Sequence, residues 1–103
     1  MAGFVRVAGV DEIPPGTIKP FEVNFTPVLI CNVEGHFYAV AEECSHESVS
    51  MAKGRLMGKE IICQRHGARF SVVDGSVLGP PAVVPIETFK TKIEDNSIYI
   101  EVD

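Results

Sequence analysis

Two short stretches concentrate the residue types that bind metals or attack substrates: Cys44-Ser45-His46 and Cys63-Gln64-Arg65-His66-Gly67. Each supplies one thiolate and one imidazole. If two loops carrying these pairs face each other, Cys44 and Cys63 can hold one iron of a two-iron cluster while His46 and His66 hold the other. The close spacing within each pair is required, because each loop must reach both metals. Exchanging two thiolates for neutral imidazoles removes two negative charges and raises the reduction potential relative to a four-Cys cluster. Two other chemistries use the same residue types. A structural zinc ion also takes two Cys and two His, although zinc sites favour C-x2-4-C and H-x3-5-H pairs. A Cys nucleophile with a His base needs one residue of each kind and leaves the second pair without a task.

The remaining candidates are few. Cys31 sits inside an apolar run and reads as a small core residue. His36 follows Glu34-Gly35 and reads as an exposed hairpin residue. With His46 and His66 assigned, His36 is the one histidine left. The chain therefore cannot build a mononuclear iron site of two His and a carboxylate. No Gly-rich fingerprint for a flavin or nicotinamide follows a strand. If the two pairs hold a two-iron cluster, what remains for the chain is electron relay, with no catalytic residue.

The elements that must position the two pairs are strands. The chain has 103 residues, 46% hydrophobic and 22% charged, which is one small soluble domain. Val5 and Val7 suit an outer strand. Ile13-Pro14-Pro15-Gly16 is a turn or loop. Three hairpins are predicted: Pro27–Val33 with His36–Val40 around Glu34-Gly35, Ser71–Val73 with Ser76–Leu78 around Asp74-Gly75, and a last one from Phe89 to Val102 around Glu94-Asp95-Asn96-Ser97. Gly79-Pro80-Pro81 is a rigid loop, and the one helical candidate is a turn near Ser48 to Met51. Short strands with frequent turns predict an all-β sandwich or barrel.

No apolar run is long enough to span a bilayer. Three Cys and no basic-then-apolar start predict a cytoplasmic protein in a reducing compartment. The net charge of −5 argues against nucleic acid as a partner. That charge is uneven: residues 1–43 and 71–103 each carry −4, while residues 44–70 carry +3. Arg65 and Arg69 in this basic segment are candidates for docking an acidic partner.

C-x-H followed by C-x2-H-G resembles the signature of Rieske 2Fe–2S proteins, and Gly79-Pro80-Pro81 resembles the proline loop that shields their cluster. The likeness runs over nearly the whole chain. It implies the Rieske fold, an antiparallel β-sandwich base with a small cluster-binding subdomain, here about 43–82, inserted in a single domain of residues 1–103. It also implies one 2Fe–2S cluster, with Cys44 and Cys63 on the inner iron. His46 and His66 would hold the outer iron through Nδ1, with their Nε2 edges turned to solvent. Gly67 would let backbone approach the cluster.

Respiratory and photosynthetic Rieske subunits carry an extra Cys in each ligand loop, joined by a disulfide. Val49 and Arg65 stand at those positions here. They also carry a Ser and a Tyr that donate hydrogen bonds to sulfur, where this chain has Ala68 and Phe70. Both departures place the resemblance with the low-potential, free-standing ferredoxins. Those pass electrons from a flavin-dependent ferredoxin reductase to a terminal Rieske non-haem iron oxygenase of aromatic-hydrocarbon catabolism, here as a monomer. A small Rieske subunit of another redox enzyme, such as assimilatory nitrite reductase, and a zinc-stabilised interaction module are the competing readings.

Overall fold

The computed structural model describes residues 3–45 and 47–102. Eleven strands form three antiparallel sheets. The first sheet has the order β1-β11-β10, from Gly3–Gly9, Ser97–Val102 and Thr91–Glu94. The second has the order β2-β3-β4-β9, from Ile18–Val23, Thr26–Val33, His36–Ala41 and Thr88–Phe89. The third has the order β5-β6-β7-β8, from Arg55–Met57, Glu60–Ile62, Arg69–Ser71 and Val77–Gly79. This is the predicted all-β, antiparallel architecture. Val5 and Val7 lie on β1, which is an edge strand as expected.

The middle strand β3 organises the whole. Its side chains alternate between two apolar layers, as strand geometry requires. Val28 and Ile30 join Ile98, Ile100 and Val102 of β11, which closes the base sandwich. Leu29, Cys31 and Val33 point the other way and pack with Met51, Ile61, Phe70 and Val72. A strand buried on both faces reads as a continuous apolar run, which is why residues 27–33 show no alternation in sequence. That second layer seats the small third sheet, and Cys44 and Cys63 belong to it.

Three hairpins turn on two residues with positive φ: Asn24-Phe25, Glu34-Gly35 and Asp95-Asn96. Left-handed pairs of this kind match the twist of the flanking strands. The first and the third join β2 to β3 and β10 to β11, and the middle one joins β3 to β4 in the predicted register.

Two expectations fail for local reasons. The predicted turn near Ser48 to Met51 forms no helix. Its backbone is committed to the segment before it, with a Glu43–Ser50 bridge and a bond from Met51 N to Glu42 O of 2.8 Å. The short 3-10 helix lies at Val10–Glu12 instead. The Asp74-Gly75 hairpin exists, but β7 stops at Ser71 and β8 starts at Val77. Val72 is drawn into the core, and its N–H bonds to Lys59 O at 2.9 Å, which widens the turn.

In that wide turn Asp74 Oδ1 accepts the backbone N–H of Ser76 at 3.0 Å. This bond, with the Ser76 hydroxyl next, holds the exposed Asp74 carboxyl below its ordinary value. A depressed pKa means the unfolded chain takes up the proton first as pH falls. The contribution is therefore present above the ordinary carboxylate pKa and lost through the lower, folded one. Asp74→Ala is expected to melt a few degrees lower than the parent at neutral pH. The gap between the two proteins should close when both melts are repeated in acid, below the carboxylate range.

Candidate metal centre

The first loop is built on the Glu43–Ser50 bridge. Cys44 N donates to Val49 O at 2.9 Å and Val49 N to Glu47 O at 2.8 Å. Ser50 is fixed by the Glu42 carboxylate at 2.6 Å. These bonds close the neck, beyond which Ser45, Glu47 and Ser48 lie at the tip. The second loop is a tight turn between β6 and β7. Cys63 N bonds to Ala68 O at 2.8 Å, and Gly67 N to Cys63 O at 3.0 Å. Gly67 has φ +75, and no protein atom lies within 4 Å of where a Cβ would stand. Its glycine is therefore explained by the left-handed backbone rather than by crowding from protein atoms.

The two loops face each other and are laced together by side chains. Gln64 Nε2 donates to Ser50 O at 2.8 Å. His66 Nε2 lies 2.9 Å from Glu47 Oε1, and Arg65 Nε lies 3.4 Å from Glu47 Oε2. A third segment closes over them. Pro80-Pro81 follows β8, the Ser45 hydroxyl donates to Val84 O, and Ile86 N bonds to Gly75 O at 3.0 Å. Gly75 is where this segment meets the turn after β7: a Cβ there would collide with the Ile86 carbonyl, at a φ of +79.

Cys44 and Cys63 are both buried in one apolar cluster, whereas the His66 side chain is 45% exposed. Buried sulfur beneath a half-exposed imidazole suits a cluster held by thiolates from within and by imidazoles from the solvent side. Among the described residues no three His, Cys, Asp or Glu side chains are close enough to hold a metal ion. The fourth predicted ligand, His46, lies outside the described residues. Cys31 is buried in β3, where desolvation pushes its thiol up to about 12. His36 is exposed at the start of β4.

Of the five basic residues in 44–70, Lys53, Arg55 and Lys59 are exposed, and the two arginines at the loops meet acids of the same segment. Arg65 pairs with Glu47, and Arg69 pairs with Glu60 at 3.0 Å while also donating to Leu78 O at 3.0 Å. At the same end, Val83 is 86% and Val84 54% exposed. Sequence reasoning missed both this apolar rim and Glu47. The signal for Glu47 was its place directly after His46 in a loop otherwise poor in acids.

The sequence model of the Rieske [2Fe-2S] domain matches residues 3–90. The biphenyl 2,3-dioxygenase ferredoxin component of Rhodococcus jostii strain RHA1 is 32% identical over 98 residues, covering 95% of this chain and 92% of that protein. The ferredoxin component of the naphthalene 1,2-dioxygenase/salicylate 5-hydroxylase systems of a Ralstonia species is 33% identical over 100 residues, with 97% and 96% covered. A chain in the complex of reduced oxygenase and oxidized ferredoxin of carbazole 1,9a-dioxygenase superposes with a TM-score of 0.88 at 30% identity, covering 94% of this chain and 91% of that one.

Proposed function

The chain belongs to the Rieske [2Fe-2S] domain family, and on that premise we propose that it is a one-electron carrier, the ferredoxin component of a multicomponent aromatic-ring dioxygenase system. In this reading Cys44, His46, Cys63 and His66 hold the cluster, and the cluster-binding part spans about residues 43–82. Electrons come from a flavin-dependent ferredoxin reductase and go to a terminal Rieske non-haem iron oxygenase. The carrier works as a monomer in the cytoplasm. The observation that carries the reading is the half-exposed imidazole of His66 in the turn whose Cys63 is buried, in the same apolar cluster as Cys44 of the facing loop. Relatives matched along nearly their whole length are ferredoxin components, which favours a carrier over a catalytic subunit.

When bound, a 2Fe–2S cluster supplies the one-electron couple. The residues supply the rest. Cys44 and Cys63 anchor the site from the apolar layer shared with β3 and exclude water from that side. His66 gives a half-exposed imidazole on the solvent side. The segment from Pro80 to Ile86, tied at Ser45 and Gly75, forms the rim against which a partner would rest. With Arg65 and Arg69 already paired, contact at this rim should depend on the exposed Val83 and Val84 more than on these two arginines.

Two measurements test this. The reduced protein should give a rhombic EPR signal whose average g value lies below that of four-Cys ferredoxins. A colourless protein that contains zinc would instead support the interaction module. In stopped flow with reductase and oxygenase, Val83→Asp with Val84→Asp should slow transfer about tenfold or more, the loss of two buried apolar contacts. A steep fall with salt, together with an unaffected valine variant, would return docking to the arginines.

A further inference from the structure

The resemblance leaves the Nε2 edge of each ligand histidine open to solvent. In the structure the His66 edge meets a carboxylate. Glu47 Oε1 lies 2.9 Å from His66 Nε2, and Oε2 of the same group lies 3.4 Å from Arg65 Nε. One side chain from the tip of the first loop thus engages two side chains of the second. Its own exposure is moderate, 36% at the side chain. An isolated surface ion pair contributes little to stability, so the consequence to look for is electronic.

Resting on the reading of His66 as a ligand, we propose that Glu47 is a positioning residue that sets the reduction potential of this carrier. An imidazole that binds metal through Nδ1 carries its proton on Nε2, so Nε2–H donates and the Glu47 carboxylate accepts. The bond fixes the ring plane and makes the imidazole a better electron donor to the metal. It also puts a negative charge one side chain away from a centre that gains a negative charge on reduction. Both effects favour the oxidised state and lower the potential. Arg65 steers the carboxylate from its second oxygen. No bond to Glu47 forms or breaks when the electron enters.

The test is protein-film voltammetry of the purified holoprotein at one neutral pH, with iron counted in every sample. Glu47→Gln should raise the reduced-to-oxidised ratio at a fixed electrode potential about tenfold, an upward shift of about 59 mV. Glu47→Ala should move at least as far. Exposed Glu43, on the other side of Cys44, is the control, and Glu43→Gln should move the midpoint far less. An unchanged midpoint in both Glu47 variants with full iron overturns the proposal. So does an equal shift in Glu43→Gln, which would mean that net charge alone matters. Loss of iron from both Glu47 variants overturns it too, because the carboxylate would then be needed for assembly and not for tuning. The ligand reading fails separately, if His66→Ala keeps its full iron and its parent spectrum.

Discussion

Cys44→Ser and Cys63→Ser are each expected to strip the protein of nearly all its iron and sulfide, while Cys31→Ser retains both. The three thiols share one apolar layer, so burial does not distinguish them. Position does. Cys44 and Cys63 head loops that are bonded to each other through Gln64, Arg65 and His66. Cys31 lies in mid-strand, paired with Ile18 on one side and Tyr38 on the other. Only a thiolate binds metal, and desolvation raises the Cys31 thiol to about 12, so it stays protonated at neutral pH.

The same shift has a stability consequence. The unfolded chain loses this proton near 9, before the folded one does. The contribution of Cys31 is therefore whole below about 9 and is lost as pH climbs towards 12. Serine at this site buries a hydroxyl, at a cost of about 1–3 kcal/mol, so Cys31→Ala is the companion variant. It should keep the cluster and flatten the alkaline limb of the stability curve. Iron and acid-labile sulfide per chain, read beside the visible spectrum, decide the ligand question. Iron lost from both Cys31 variants, with Cys44→Ser intact, would overturn the assignment.

How far the sequence foretold this molecule differs from residue to residue. The ligand pairs stand out because metal chemistry demands rare residues at short spacing. The β3–β4 hairpin stands out because Glu34-Gly35 is strong turn chemistry between apolar runs. Strand β2 does not, because Pro20 and two charged residues break its pattern, which an edge strand tolerates. Its turn, Asn24-Phe25, puts a bulky residue at φ +64, which propensity argues against. The hairpin β5–β6 is too short to show a period. Charge counting along the chain yields the segment's net +3, in which Glu47 and Glu60 are already counted, but not that these two acids sit against Arg65 and Arg69, across loop and strand contacts that linear order hides.

Installing Ala68→Ser and Phe70→Tyr together should raise the reduction potential by roughly 80 mV. Both native side chains are fully buried beside the thiols, and neither has a hydroxyl. The resemblance implies that hydroxyls at these positions donate to cluster sulfur in the respiratory and photosynthetic branch. Such bonds favour the reduced state, which carries the extra negative charge. Without them the parent should lie near the low end of the Rieske range, about −150 mV. Each new bond is worth about 1 kcal/mol net, or roughly 40 mV for one electron. Packing supplies an independent check. Phe70 is held on β7 between Ile61 and Val77 with no exposed surface. A tyrosine hydroxyl there must either reach an acceptor or remain buried and unpaired, at about 1–3 kcal/mol. If sulfur accepts it, the potential rises and the melting temperature holds. If nothing accepts it, the potential stays and the protein melts several degrees lower. Voltammetry and thermal melts of the same holoprotein samples separate these outcomes. A parent potential well above zero would refute the low-potential assignment, and a double variant with full iron and no upward shift would refute the hydroxyl argument by itself.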